Sequence, residues 1–294
     1  MIVSKGTIHD AIQEIFGPGV TITGQRGVFG GCINQTGAVT LSNGEKVFLK
    51  ENSSKYKNMF AAEAAGLLAL CVDGGPKVPT PLAVHSDDER QYLLLSYIHP
   101  GRPGPGYHEA FGRAMAQLHQ HPTSSEFGFE TDNYIGSTMQ KNPNTKSWVD
   151  FFRDHRLGFQ IKLAAKQGLA SSTLITKTEK LMSKLETYID EPNRPSILHG
   201  DLWSGNAMSD NAGDAVIYDP ATYYGHYEAD IAMTELFGRF PDTFYAAYAE
   251  ILPLDSEYQD SRKTIYALYH ILNHLNIFGS SYASQAMSMV SCFV

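Results

Sequence analysis

Cysteines and tryptophans are few in this sequence, long apolar runs are missing, and each shortage excludes something. The three cysteines among 294 residues, Cys32, Cys71 and Cys292, cannot all pair within one chain, and none stands in a Cys-x-x-Cys metal spacing. A reducing cytoplasm fits that usage better than an oxidising compartment does. No uninterrupted apolar run approaches the roughly 18 residues of a membrane-spanning helix. The opening MIVSKGTIHDAIQEIFG holds no apolar segment of signal-peptide length. The expectation is a cytoplasmic protein without a membrane span. Bases are short as well: 23 Lys and Arg against 31 Asp and Glu leave a net charge of −8 and no basic run, which speaks against a nucleic-acid surface. A phosphate-bearing ligand must therefore be held by local groups.

What remains is the composition of an ordinary globular chain, 43% hydrophobic and 18% charged, long enough for one large domain or two lobes. Its character changes near residue 100. Before that point GCINQTGAVTLSNGEKVFLKEN reads as two strands around the turn Ser42-Asn43-Gly44, and RQYLLLSYI reads as another strand. HPGRPGPGYH then breaks any regular element, and helical periodicity dominates beyond it. Phe111, Met115 and Leu118 share one face; Trp148, Phe151, Phe152, His155 and Phe159 share another; Ile265, Leu268, Tyr269, Leu272 and Leu275 share a third. The reading is a small sheet lobe, residues 1–98, followed by a larger helical lobe, residues 99–294.

Between two such lobes a cleft is a natural nucleotide site. LHGDLWSGN places Asp201 and Asn206 five residues apart in a glycine-containing loop, and AVIYDPA reads as a strand ending in Asp219. The intervening MSDNAGDA suits a hairpin that brings Asp219 back towards Asn206. Two such oxygen ligands suit magnesium, and they leave Asp201 free as a base. Upstream, VFLK ends a strand at Lys50, and FAAEAAGLLAL reads as a helix carrying Glu63. A strand lysine paired with a helix glutamate is how protein kinases position ATP phosphates.

HGDLWSGN with YDPATYYGHYEADIAMTELFG resembles the fructosamine kinase (ketosamine 3-kinase) family, as do FGFETDNYIGSTMQKN, WVDFFRDHRLGFQ and LYHILNHLNIFGSSY. That family is a branch of the aminoglycoside phosphotransferase-like group. The resemblance runs from about Cys32 to Tyr282 and implies an α+β, protein-kinase-like fold of two lobes. It also implies ATP and Mg2+ as cofactors, and phosphorylation of the 3-hydroxyl of a free or protein-bound ketosamine, a deglycation role. By the same resemblance Asp201 is the catalytic base, Asn206 and Asp219 are the magnesium ligands, and Lys50 with Glu63 positions the phosphates. Ser96, Tyr97 and Ile98 become the hinge that reads adenine, and Gly30 and Gly31 fall in the loop that covers the nucleotide. Three features depart from protein kinases. Gly200 stands where they carry arginine, Pro220-Ala221 follows Asp219, and GVFGGC breaks their glycine spacing. Small-molecule acceptors are therefore favoured over protein ones. The alternatives are a kinase of an aminoglycoside, choline or another amino alcohol, or a nucleotide-binding protein without transferase activity.

Several residues have two readings. Trp203 offers a flat face to a sugar or packs its own loop. His270 and His274 lie four apart, but Ile271 stands where a zinc protease needs glutamate, which leaves a substrate-facing or helix-packing role. His119 and His121 serve a helix end or solvent, Asp150, Arg153 and Arg156 form a solvated charged face, and Asp230 is a structural acid beneath the catalytic loop. Cys32, beside Gly30 and Gly31, is a candidate redox switch, so the assembly is a monomer or a redox-linked homodimer.

Overall fold

The computed structural model describes residues 2–5, 7–27, 34–121 and 124–294. Gly30, Gly31 and Cys32, and with them the covering-loop and redox readings, lie outside the described residues. Six strands form one sheet: β1 (Ile2–Lys5), β2 (Ile22–Gly27), β3 (Gln35–Leu41), β4 (Lys46–Ser53), β5 (Pro81–Ser86) and β6 (Arg90–Ser96), in the order β1-β5-β6-β4-β3-β2. Five of them are antiparallel, as the hairpin pattern predicts, with β3 and β4 paired around the Ser42–Gly44 turn. The sixth, β1, adds in parallel beside β5.

Helices α1 (Ile8–Phe16) and α2 (Met59–Leu70) accompany this sheet, and strand alternation sorts its side chains between two separate apolar clusters. Val47 and Leu49 of β4 join the cluster with Ala11 and Ile12 of α1, while Phe48 packs with Phe60 and Leu67 of α2. Lys50 shares parity with Phe48. The period of two therefore sends Lys50 towards α2, where Glu63 sits.

The rest of the chain is mainly helical: α3 (Tyr107–Gln120), α4 (Trp148–Phe151), α5 (Gly158–Lys166), α6 (Ser172–Met182), α7 (Glu228–Leu236), α8 (Asp242–Ala249), α9 (Lys263–Phe278) and α10 (Ala283–Ser291). Three two-stranded pieces lie among them, formed by β7 (Asn133–Ile135) with β8 (Thr138–Gln140), β9 (Ser196–Leu198) with β12 (Tyr223–Gly225), and β10 (Ala207–Ser209) with β11 (Ala215–Ile217). One large apolar core joins these helices, and it includes Phe111, Met115, Leu118 and the five apolar positions expected on α9.

Helical periodicity misreads one segment. Between α4 and α5 the chain makes a π-helical stretch, Phe152–Leu157, whose wider turn shifts the inward face. Arg156 is consequently fully buried, while Phe159 and His155 are only partly covered. The Arg156 guanidinium stacks 4.0 Å from the Tyr223 ring centre and donates to Lys141 O at 2.8 Å and Asn142 Oδ1 at 2.7 Å. The solvated charged face expected for Arg156 is therefore confined to Asp150 and Arg153, which form an ion pair at 2.7 Å.

Candidate active site

One cleft of about 480 Å3 collects Lys50, Glu63, Asp201, Trp203, Asn206 and Asp219, residues spread over nearly 170 positions of sequence. Lys50 is 2% exposed, and its Nζ lies 2.6 Å from Glu63 Oε1 and 2.9 Å from Asp219 Oδ1. Burial works against the lysine's charge, but the two carboxylates more than offset it and raise its pKa. Glu63 is pushed up by burial and by Asp219, with Lys50 opposing. A charge buried here without partners would cost several kcal/mol, roughly. The triangle is thus mutually dependent.

Helix α2 reaches this position because it is built from small residues. A Cβ added at Gly66 would lie 2.7 Å from Thr222 Oγ1, so glycine lets α2 approach the segment just past Asp219. Asp219 itself has φ 58°, a left-handed backbone that a side chain rarely adopts. The expected strand ends two residues before it, at Ile217. The predicted hairpin is β10 with β11, and Tyr218 N donates to Asn206 O at 3.0 Å, which ties the two loops together.

Asp201 stands on the loop between β9 and β10. Asn206 Nδ2 donates to Asp201 O at 2.9 Å and to its Oδ2 at 3.1 Å. Burial raises the Asp201 carboxyl to about 7; the Asn206 bond opposes this, and the charges of Asp219 and Asp230 add to it. The loop is held from below by Asp230, which accepts from His199 N at 2.6 Å and Gly200 N at 2.8 Å. The structural role expected of Asp230 is the one seen. Gly200 has φ +81°, and a Cβ there would lie 2.1 Å from Ala221 O. No other residue type fits without moving the Asp219 loop.

Two histidines complete this support, and sequence reasoning missed both. His199 Nδ1 accepts from Asp201 N at 3.2 Å, while its Nε2 donates to Tyr218 O at 2.9 Å, which fixes the tautomer. Burial lowers its pKa despite the charge of Asp230, so it serves as a neutral clamp. His119 is not a helix-end or solvent group: it is buried, with ring nitrogens 2.8 Å from Tyr248 Oη and 3.2 Å from Asp230 Oδ2. His121 is exposed, as expected.

The hairpin β7–β8 forms one wall of the cleft through Asn133, Tyr134, Ile135 and Gly136. Gln140 Nε2 donates to Ala221 O at 3.0 Å and Asn133 Nδ2 to Thr222 O at 2.7 Å, so the hairpin is fastened to the chain after Asp219. Trp203, Phe237, His274, Phe278 and Tyr282 also line the cleft. His270 is not among the lining residues. It is buried, Nδ1 has no partner among the described residues, and burial drops its pKa to about 3, with His274 and Arg156 reinforcing this and Asp230 opposing. Of the two readings of His270, its burial favours the helix-packing one over the substrate-facing one. Position 270 turns inward on α9 and position 274 meets the cleft. The signal available was the Gly136 turn of NYIGS and the aromatic run around Gly279, both in stretches already recognised as family-like.

The hinge candidates lie elsewhere. Ser96, Tyr97 and Ile98 border a separate hollow with Lys77, His99 and Asp210. Ser96 N is used by Thr80 O at 2.9 Å, whereas no hydrogen bond engages the backbone of Tyr97 or Ile98 among the described residues.

No group of three or more His, Cys, Asp or Glu side chains that could hold a metal occurs among the described residues. The available donor set is all oxygen: the Asp219 carboxylate and Asn206 Oδ1, the latter left over because Nδ2 is committed to Asp201. That chemistry fits a hard cation which also takes phosphate and water ligands. No helix of the described residues is long and apolar enough to cross a membrane.

Comparison with known proteins agrees with this geometry. The model of the fructosamine kinase family matches residues 4–294. A probable ketoamine kinase of Synechocystis is 43% identical over 97% of this chain and 95% of its own. The chloroplastic protein-ribulosamine 3-kinase of indica rice is 38% identical over 95% and 81%. Among solved structures, the putative fructosamine-3-kinase of Haemophilus somnus superposes with TM-score 0.87 at 30% identity, covering 98% and 97% of the two chains. A thermostable mutant of an aminoglycoside phosphotransferase, in ternary complex with ADP and hygromycin B, shares the fold at TM-score 0.67 and 14% identity, over 98% and 99%. The architecture is thus the α+β, two-lobe, protein-kinase-like one. With a family match over essentially its whole length and the kinase arrangement of charged residues around one cleft, the chain is a kinase of the fructosamine kinase family.

Proposed function

We propose that the protein uses ATP with magnesium to phosphorylate a sugar hydroxyl, at carbon 3, of a ketosamine such as fructosamine or ribulosamine. The observation that carries this reading is the placement of Asp201. Its carboxyl lines the cleft, its pKa raised to about 7, and accepts a hydrogen bond from Asn206. A carboxylate in that range matches a general base that must take a hydroxyl proton near neutral pH. Lys50, held by Glu63, orients the phosphates, and Asn206 Oδ1 with the Asp219 carboxylate holds the cation. Magnesium, when bound, would neutralise phosphate charge as it shifts during transfer. Tyr97 and Ile98, which border the neighbouring hollow, are read as the hinge for adenine between a lobe of residues 1–98 and one of 99–294, a reading supported by backbone groups that no hydrogen bond engages among the described residues.

Trp203 lines the cleft two residues after Asp201, its ring 6.2 Å from Phe237, and gives the sugar a flat apolar wall. Among the described lining residues the acids are Glu63, Asp201 and Asp219, each engaged by Lys50 or Asn206. A polycationic aminoglycoside would want free carboxylates at the mouth. An aromatic mouth suits a singly charged amine carrying an apolar stem. The deciding experiment is ADP release across ketosamines, aminoglycosides and choline. Turnover on ketosamines alone supports the proposal, and turnover on either other class in preference to them refutes it.

A further inference from the structure

His274 lies on the same helix as His270 but, unlike it, lines the cleft. Its ring belongs to an aromatic series that starts beside the proposed base. Trp203 lies 6.2 Å from Phe237, Phe237 lies 4.5 Å from His274, and Tyr282 and Phe278 close the far side at 5.1 and 5.3 Å. The tautomer follows from one contact. His274 Nδ1 is 2.8 Å from His270 O, and a carbonyl oxygen can only accept, so Nδ1 carries the hydrogen. Partial burial holds the pKa of the ring below its ordinary value, with the His270 bond opposing, so the neutral form prevails near pH 7, roughly. Nε2 is then a bare acceptor, and no hydrogen bond reaches it among the described residues. The cleft's three acids all belong to the reaction centre and are already engaged.

We propose that His274 recognises the nitrogen of the acceptor, with Nε2 accepting a hydrogen bond from the protonated amine that joins the sugar to its carrier. This rests on the ketosamine reading above and adds a specificity-determining residue to it. In a ketosamine the nitrogen and the 3-hydroxyl are attached to the ends of one three-carbon stretch, so whatever reads the nitrogen must share the cleft with the base. His274 and Asp201 line the same cleft, with Trp203 and Phe237 also among its walls. A neutral acceptor bordered by the Phe237 and Phe278 faces favours a single ammonium, by a charge-assisted hydrogen bond and by cation–π attraction.

The test is His274→Phe, which keeps a ring against Phe237 and Tyr282 but removes the acceptor. Kinetics are measured on a ketosamine and on its counterpart with an ether oxygen in place of the nitrogen. The KM for the ketosamine should rise about 10- to 100-fold, the scale of a hydrogen bond to a charged group. The KM for ATP and that for the ether should stay put, and His274→Gln, whose amide oxygen can take the place of Nε2, should recover most of the loss. An equal effect on both acceptors, or none on the ketosamine, overturns the inference while leaving the ketosamine reading intact. If wild type phosphorylates neither acceptor, the ketosamine reading fails and takes this inference with it. Should His274→Phe not fold, as judged by its melting curve, His274→Gln against His274→Leu provides the same contrast.

Discussion

Replacing Asp230 by asparagine removes one charge and exchanges one acceptor for a donor at the point where the catalytic loop is fastened. In the native chain the carboxylate is 1% exposed and accepts from His199 N at 2.6 Å, Gly200 N at 2.8 Å and His119 Nε2 at 3.2 Å. Burial alone would raise its pKa, but the hydrogen bond and charge of His119, with His199 and the Gly200 N–H, pull it below the ordinary carboxylate value. Asparagine can still accept from one backbone N–H, but its NH2 then faces the other. Losing a bond to a charged acceptor costs about 1.5–3 kcal/mol, and stranding a buried donor about 1–3 kcal/mol more, so about 2.5–6 kcal/mol is expected. At about 2.1 cal/mol/K per residue, unfolding of a chain this long carries an entropy near 0.6 kcal/mol/K, which converts the loss to a fall in Tm of about 4–10 °C. The active site should suffer too. The peptide that Asp230 holds at Gly200 N leads directly into Asp201, so loosening it displaces the proposed base. Turnover should therefore fall while KM for ATP changes little. Thermal melting and steady-state kinetics of Asp230→Asn check both effects. A Tm within about 1 °C of wild type, with unaltered turnover, would refute this account of the loop.

Asp201→Asn should lower turnover by about 10² to 10⁴ and leave nucleotide affinity nearly unchanged. Retention of more than about a tenth of the rate would mean that another residue is the base. Asp219→Ala, in contrast, should weaken binding of the magnesium nucleotide itself, measured by calorimetry, and unchanged affinity contradicts its role as a cation ligand. Trp203→Ala should raise KM for the acceptor far more than for ATP. If it merely lowers Tm with both constants intact, the indole packs its own loop against Gly205 and Phe237. The last expectation concerns pH. Burial depresses both His226 and His270 to about 3, with Arg262 adding to the effect at His226. The unfolded chain binds those protons first, so their contribution to stability is complete above about pH 6.5 and drains away as pH falls towards 3. Each histidine can remove up to about 1.4 kcal/mol per pH unit below 6.5, read from urea midpoints at several pH values. His270→Phe should flatten that slope, and an undiminished slope would show that His270 is not the buried neutral group described.

Much of the reaction centre was legible in the sequence because each part needs a particular residue type in a particular local element. Alternation along VFLK aims Lys50 at one face of the sheet, and the small residues of FAAEAAG announce a helix that packs closely. The Asn206-to-Asp219 hairpin follows from its turn residues alone. These are local properties, set within a few residues by dihedral preference and side-chain period. What they do not contain is the identity of the opposing surface. His119, Arg156 and His270 are polar, and their own segments left a helix end, solvent, a ligand or helix packing open as partners. In the fold they face Asp230, a lysine carbonyl with three aromatic rings, and the interior of the helical core. The π-helical turn that swallows Arg156 and the packing of α9 that turns position 270 inward and position 274 to the cleft depend on neighbours remote in sequence, Tyr223 and Tyr269 for Arg156 among them. Periodicity names a face of a helix, whereas only tertiary packing decides what that face meets, because the free energy of burying a polar group is set by the partner that receives it.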